Sequence, residues 1–112
     1  MNIAEIKDGN ERLNKYEKYG YTKEALKDKS STIRLEANET FGYTKEAMKD
    51  ENWRIRFNAY KNLGYTKEAM NDEYWMIKLE AYETFGYTKE AMKDENWRIR
   101  QKAERYFKNK GE

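Results

Sequence analysis

The chain has 112 residues, of which 38% are hydrophobic, 15% aromatic and 39% charged, so it is long enough for one domain with a modest core. Its 23 basic and 21 acidic residues leave a net charge of +2, which is too balanced for a broad electrostatic attraction to nucleic acid or to anionic membranes. Cysteine and histidine are both missing, which excludes disulfides, thiolate or imidazole metal ligands and the usual general base.

A tandem repeat dominates the sequence. The block LEANETFGYTKEAMKDENWRIR at 35–56 recurs at 79–100 with one change, Tyr82 in place of Asn38, and the shorter motif GYTKEA begins at positions 20, 42, 64 and 86. A fixed period in this range indicates stacked structural repeats. We predict a single repeat domain over 1–112, made of an N-terminal cap at 1–19, repeats at 20–41, 42–63, 64–85 and 86–107, and a tail at 108–112.

The first 19 residues are predicted to be a degenerate opening unit. Apolar side chains from Ile3 to Tyr19 keep a helical spacing, but Gly9 and Asn10 are expected to interrupt the helix, and the register of the repeats is expected to be lost. No apolar segment is long enough for a secretion signal or a membrane span, so we expect a cytoplasmic protein.

The repeat at 42–63 shows what each unit should form. Thr44 is a suitable cap for a helix of about two turns that ends near Asp50. A second helix is predicted to start after Asp50, with that residue as its cap, and to end near Leu63, where Gly64 supplies a left-handed conformation. The apolar arc of this longer helix is wider than a lone amphipathic helix needs, which is typical of a helix packed between neighbouring repeats. Its members are Ile55, Ala59 and Leu63 on one side, with Trp53, Phe57 and Tyr60 beside them.

The longer helix resembles the second helix of HEAT-like repeats. In the second repeat the matching residues are Asp50, Ile55, Arg56, Ala59, Leu63 and Gly64, and they recur as Asp28, Ile33, Arg34, Ala37 and Phe41, as Asp72, Ile77, Lys78, Ala81 and Phe85, and as Asp94, Ile99, Arg100, Ala103 and Phe107. The resemblance covers residues 20–107. It implies an all-α fold, a right-handed α-solenoid of about four 22-residue two-helix repeats. The first helix is shorter than in HEAT-like repeats, so the similarly short leucine-rich-variant repeat remains a competitor.

A basic side chain falls inside the apolar arc of each repeat, where an unpaired charge is costly. For Arg56 the natural partner is Asp50 of the same repeat. The resemblance to HEAT-like repeats implies that the acidic and basic positions form a ladder joining adjacent repeats. Its members would be Asp28, Asp50, Asp72 and Asp94 with Arg34, Arg56, Lys78 and Arg100.

The solvent-facing arcs of the long helices alternate in charge. The row Glu39, Lys61, Glu83 and Arg105 is predicted to pair side by side between adjacent helices. A tyrosine follows each repeat glycine, at Tyr21, Tyr43, Tyr65 and Tyr87, and is expected to fold back onto the end of the preceding helix. The short helices present Leu26, Met48, Met70 and Met92 to the core.

Tryptophan occupies the same repeat position at Trp53, Trp75 and Trp97, with Ser31 in the first repeat. Packing between repeats and an exposed aromatic binding strip are both open interpretations, although tryptophan is strongly enriched at interface anchors. Met76 replaces an arginine in the solvent arc and is an exposed candidate contact. The binding residues that we predict are Trp53, Arg54, Trp75, Met76, Trp97, Arg98, Arg105 and Tyr106.

The favoured function is a non-enzymatic protein-binding module that presents its long-helix face to a protein partner. A small phage or mobile-element inhibitor of a host protein is one form of this hypothesis. We predict no catalytic residue, cofactor or metal, no membrane association, and leave self-association open. The alternatives are a nucleic-acid-binding HEAT-like protein, whose Trp–Arg pairs would stack on bases, and a designed or consensus-like scaffold. Acidic residues on the same face oppose nucleic-acid binding: Glu36, Glu39, Glu80 and Glu83.

Overall fold

The fold is helical throughout the part of the chain that the computed structural model describes, residues 2–111, with no β-strand among them. Short 3-10 helices alternate with longer α-helices, which confirms the predicted all-α class and the solenoid type of repeat. The α-helices are α1 (Gly9–Tyr19), α2 (Ser31–Phe41), α3 (Trp53–Leu63), α4 (Trp75–Phe85) and α5 (Trp97–Asn109). The 3-10 helices are η1 (Ile3–Glu5), η2 (Lys23–Lys27), η3 (Lys45–Lys49), η4 (Lys67–Asn71) and η5 (Lys89–Lys93).

The chain divides into two compact units, which we call the N-terminal unit (Met1–Leu63) and the C-terminal unit (Gly64–Glu112). Within each unit, every short helix packs against the α-helix that follows it. The core consists mainly of one isoleucine and one alanine from each α-helix from α2 onward, all fully buried, and one alanine from each preceding short helix. These small side chains allow the two helices of a repeat to approach closely.

The short helices are tighter than the sequence suggested. An α-helix of about two turns was predicted from Thr44, but η3 is a five-residue 3-10 helix that begins with a bond from the Ala47 amide to the Thr44 carbonyl, 3.0 Å. The Thr44 side chain forms no cap bond. A 3-10 helix closes i to i+3 and therefore completes its turns in the few residues between Thr44 and Asp50. Ala47 is buried on its inner face.

The long helices begin later than predicted, because the cap is not the aspartate. Asn52 caps α3, since its Oδ1 accepts the Arg54 amide at 2.9 Å and the Ile55 amide at 3.3 Å. Asp50 acts one step earlier: its Oδ1 accepts the Asn52 amide at 2.8 Å and orders the turn before the helix. The Asp50 carboxylate thus orders the turn before α3, and its remaining lone pairs are left to accept other hydrogen bonds.

A glycine with positive φ follows each of the helices α1 to α4, as predicted, but not in the left-handed helical conformation. Gly42 has φ +92° and ψ 144°, so the chain leaves α2 in an extended direction while the Gly42 amide still donates to the Asn38 carbonyl at 2.8 Å. Tyrosines after these glycines fold back as predicted. Tyr87 stacks on Tyr82 with ring centroids 5.3 Å apart, and Tyr21 stacks in the same way on Tyr16.

The apolar arc is narrower at the C-terminal end of the long helices than predicted. Ile55 and Ala59 are fully buried, but Leu63, the last residue of α3, is 48% exposed. Phe85 occupies the same place in α4 and is 41% exposed, because the Tyr82–Tyr87 stack closes the core at this end.

The opening segment keeps the helix pair and the register of the repeats, with a short helix of three residues instead of five. Gly9 and Asn10, expected to interrupt the helix, form the first turn of α1, and the Asp8 carboxylate caps it by accepting the Glu11 amide at 3.0 Å. Arg12 lies 22 residues before Arg34, so the period extends through the first 19 residues in register.

Candidate functional site

The first turns of α3, α4 and α5 carry the predicted Trp–Arg positions. Each of these helices begins at a tryptophan, and the next residue is Arg54, Met76 or Arg98. Both side chains therefore project from the start of a helix, at the edge of the helical layer and away from the buried isoleucine two residues after the tryptophan. The surroundings of the three pairs differ.

In the C-terminal unit, Arg98 lies between two indole rings. Its guanidinium carbon is 5.1 Å from the ring centroid of Trp75 and 4.7 Å from that of Trp97. Trp75 packs against the core, whereas Trp97 is 52% exposed. Each cation–π contact at such a site stabilises by about 0.5–1 kcal/mol. These three residues, which we call the Trp–Arg stack, present one face of an ordered indole to solvent.

The two interpretations of the tryptophans, packing between repeats and exposure for binding, thus apply to different members of the row. Trp75 is a packing residue, covered by Arg98 from the next helix, and Trp97 is an exposed one. Met76, expected to be exposed, is partly buried, and its sulfur accepts the Tyr74 hydroxyl at 3.2 Å. Tyr74 in turn lies 6.3 Å from Trp75, so this part of α4 is tied into the same aromatic cluster.

In the N-terminal unit, Arg54 lies over one indole. Its guanidinium carbon is 5.4 Å from the Trp53 ring centroid, and Trp53 also contacts Phe57 at 6.5 Å. A shallow groove of about 200 Å³ lies between the starts of α2 and α3. We call it the Ser31 groove, and it is lined by Ser31, Thr32, Leu35, Asn52, Trp53 and Arg54.

The last two predicted binding residues have different surroundings. Tyr106 is partly buried and packs within the C-terminal unit, with its ring 5.5 Å from Tyr87 and 5.2 Å from Phe107. Arg105 is exposed, and the predicted pairing with Glu83 is wrong, because Glu83 pairs with Lys102 at 3.5 Å. The site at the start of the long helices therefore does not extend to Tyr106.

Glutamates of the solvent arc bind the tyrosines after the repeat glycines. The Tyr43 hydroxyl donates to Glu39 at 2.7 Å, and the Tyr87 hydroxyl donates to Glu83 at 2.8 Å. Burial of the ring and the neighbouring carboxylate, which is stabilised when the hydroxyl keeps its proton, raise the pKa of Tyr43 to about 12. These glutamates are thus occupied by the tyrosine that lies four residues further along the chain.

Buried ion pairs join successive repeats within each unit, which confirms the predicted inter-repeat ladder at Arg34–Asp50 and at Lys78–Asp94. Arg12 binds Asp28 at 2.9 Å, Arg34 binds Asp50 at 3.0 Å, and in the C-terminal unit Lys78 binds Asp94 at 2.9 Å. Each basic residue precedes its partner by 16 positions.

Arg56, for which Asp50 is the predicted partner, binds the backbone at that residue and the next. The Arg56 guanidinium donates to the backbone carbonyls of Asp50 and Glu51, at 2.9 and 3.0 Å, because the Asp50 carboxylate is bound to Arg34. Sequence reasoning also missed Arg12, the first member of the ladder. Its position, 22 residues before Arg34, was the available signal.

The first ion pair shows how the ladder carboxylates are held. Burial alone would raise the pKa of Asp28, but hydrogen bonds from Arg12 and from the Ser30 amide, together with the Arg12 charge, outweigh it and lower the pKa. Arg12 also donates to the carbonyls of Ile6 and Lys7, so its guanidinium makes four hydrogen bonds. These residues have a structural explanation, and we assign them no role in binding.

Among residues 2–111, no group of three or more aspartate, glutamate, cysteine or histidine side chains is placed to hold a metal ion. None of their helices is both long and apolar enough to cross a membrane.

No protein-family model, curated protein or solved structure matches the chain. The 22-residue period and the helix pairs define its class, an all-α tandem-repeat protein of the solenoid type. Within that class, its distinguishing surface features are the Trp–Arg stack of the C-terminal unit and the Ser31 groove of the N-terminal unit.

Proposed function

We propose that the protein is a non-enzymatic repeat module that binds another protein, with the Trp–Arg stack as its anchor. The observation that carries the proposal is the Trp97 indole, 52% exposed and yet held in place by Arg98. Tryptophan and arginine are the residues most enriched at interface hot spots. A ring that is already ordered loses little side-chain entropy when a partner covers it.

The magnitude is sufficient for an anchor. A tryptophan side chain has about 200 Å² of surface, so covering its exposed half removes roughly 100 Å² from water and contributes about 2.5 kcal/mol. That gain corresponds to a factor of about 60 in affinity. Desolvation of Arg98 strengthens its cation–π contacts and adds to this.

We infer further that the repeats are a short variant of the HEAT-like repeat. The inference is supported by the inter-repeat ion pairs, Arg34 with Asp50 and Lys78 with Asp94, and by the buried Ile–Ala pair in each α-helix from α2 onward. The five-residue 3-10 helices are the departure from HEAT-like repeats, and they are the feature that keeps the leucine-rich-variant repeat as a competitor.

The test compares binding by the full chain and by Trp97→Ala and Arg98→Ala variants. The wild-type and variant proteins are immobilised and exposed to cell lysates. The retained proteins are identified by mass spectrometry, and the affinity of each is then measured individually. We expect Trp97→Ala to weaken binding of the true partner by about 50-fold. Lys93→Ala is the matched control, because Lys93 is exposed at the end of η5 and lies outside the stack.

Two outcomes would contradict the proposal. Equal affinity of wild type and Trp97→Ala for every retained protein would remove the stack from the binding site. Retention that disappears on nuclease treatment, with affinity for nucleic acid that falls steeply with salt, would favour nucleic-acid binding instead.

A further inference from the structure

The Ser31 groove lies where the row of tryptophans at the helix starts ends. α3, α4 and α5 begin with tryptophan, whereas α2 begins with Ser31. In the C-terminal unit the corresponding space is filled: the Trp75 ring of α4 lies against Arg98 of α5. Between α2 and α3, the small Ser31 side chain leaves a groove of about 200 Å³ instead.

The two arginines at this position therefore differ in their surroundings. Arg98 lies over two indoles, one from its own helix and one from the preceding helix. Arg54 lies over Trp53 of its own helix, and on the preceding helix the matching residue is a serine. The N-terminal unit thus has one ring at Arg54, where the C-terminal unit has two rings at Arg98.

The lining of the groove suits an aromatic ring. Leu35 supplies an apolar wall, Arg54 supplies a cation for the face of the ring, and the hydroxyls of Ser31 and Thr32 can accept a hydrogen bond from an indole N–H or a phenol O–H. The volume is adequate, because cavities of about 150 Å³ admit a benzene-sized ligand.

We propose that the Ser31 groove receives an aromatic side chain, an indole or a phenol ring, from a protein partner. This proposal rests on the proposed protein-binding function and identifies what the partner must present to the N-terminal unit. The ring would complete a ring–guanidinium–ring arrangement at Arg54, like the one at Arg98.

The neighbouring charges favour a protein side chain over a nucleobase. Glu36 and Glu39 are exposed on α2, the helix that forms one wall of the groove, and both contribute to the raised pKa of Tyr43. A phosphodiester backbone that followed a base into the groove would meet this negative potential. A neutral side chain on a polypeptide would not.

The experiment uses the full chain and N-acetyl-tryptophanamide as the probe, so that it needs no identified partner. The indole N–H of Trp53 and the side-chain N–H of Arg54 are followed in ¹H–¹⁵N spectra during titration. We expect saturable shifts with a dissociation constant on the order of 1–10 mM, as is usual for a single ring system.

Three variants make the result specific. Ser31→Trp places in α2 the residue with which α3, α4 and α5 begin, and it should abolish the shifts by filling the groove. Ser31→Ala keeps the groove open and should bind within about twofold of wild type. Arg54→Met substitutes the residue found at the equivalent position 76 and should weaken binding about two- to fivefold. Circular dichroism shows whether each variant is folded, and Arg54→Met keeps the test valid if Ser31→Trp does not fold.

The proposal is overturned by the absence of saturable shifts, or by equal shifts in wild type and folded Ser31→Trp. Tighter binding of adenosine monophosphate than of N-acetyl-tryptophanamide at the same resonances would overturn the choice of a protein side chain. The two proposals fail in different ways. If the titration shows no binding, the role of Trp97 in partner binding is unaffected. If the titration succeeds but Trp97→Ala binds the partner as tightly as wild type, only the proposed anchor is contradicted.

Discussion

Exchanging arginine and lysine within the ladder should change stability in opposite directions at two sites. Arg34 makes four hydrogen bonds: two to the Asp50 carboxylate, at 3.0 and 3.1 Å, and two to the carbonyls of Asp28 and Lys29, at 2.7 and 3.1 Å. Lys78, at the equivalent place in the C-terminal unit, makes one, to Asp94 at 2.9 Å. With the geometry of Lys78, Arg34→Lys keeps one of these four hydrogen bonds at a site that is 8% exposed, and Lys78→Arg gains the other three.

The expected magnitude follows from this count. A hydrogen bond to a charged group contributes about 1.5–3 kcal/mol when it is lost from a buried site, but the lysine still binds the carboxylate and water can reach the freed carbonyls. We therefore expect Arg34→Lys to lower the free energy of unfolding by about 1–2 kcal/mol, and Lys78→Arg to raise it by about 1 kcal/mol. For a chain of this length, 1 kcal/mol corresponds to a shift of about 4 °C in Tm.

The assay is urea unfolding of the full chain, followed by circular dichroism and tryptophan fluorescence. Coincident transitions from the two probes are required, because repeat arrays can unfold in stages. Lys45→Arg is the control, since Lys45 is exposed in η3, and it should leave the midpoint unchanged. If Arg34→Lys and Lys78→Arg shift stability in the same direction, or if both are neutral, the reasoning from donor geometry is refuted.

Two further predictions concern the glycine turns and the Tyr43 hydroxyl. Gly42→Ala should cost about 1–3 kcal/mol in urea unfolding through backbone strain at φ +92°. Gly86→Ala should cost more, because a Cβ there would lie 3.0 Å from the Tyr106 hydroxyl, and equal costs would contradict that contact. The pKa of Tyr43 is about 12 in the folded chain, against about 10 unfolded. The Tyr43 hydroxyl therefore holds its proton more firmly in the folded state. The stability that this difference contributes is complete below about pH 10 and is lost as the pH rises toward about 12. Tyr43→Phe should reduce that alkaline loss of stability, with tyrosinate followed at 295 nm, and an unchanged pH profile would contradict the pKa shift.

The 22-residue period made most of the fold predictable from the sequence. Recurrence of the same residues every 22 positions located the glycine turns, the buried isoleucines and the fold-back of tyrosines such as Tyr87. The type of the short helix could not be predicted, because 3-10 and α geometries place Ala47 on the core equally well, and the choice depends on the space against the following helix.

The pairing of the ladder and the exposure of the tryptophans depend on neighbours that a single repeat does not specify. Arg56 could reach the Asp50 carboxylate by spacing alone, but that carboxylate binds Arg34 from the preceding helix. Trp75 and Trp97 occupy identical positions in their repeats, yet Trp75 is covered by Arg98 of the next long helix, whereas Trp97 is 52% exposed. The difference between a packing residue and an exposed one was therefore outside the reach of periodicity.

The ladder also bears on how such a chain folds and changes in length. Each of its side-chain ion pairs in the two units joins residues 16 positions apart, so the loop that must close before the bond forms is short and of constant size. The entropic cost of each bond does not grow when a repeat is added, and contacts of this kind favour rapid folding. Gain or loss of 22 residues by slippage in the gene would leave every remaining bond of this kind with the same sequence separation.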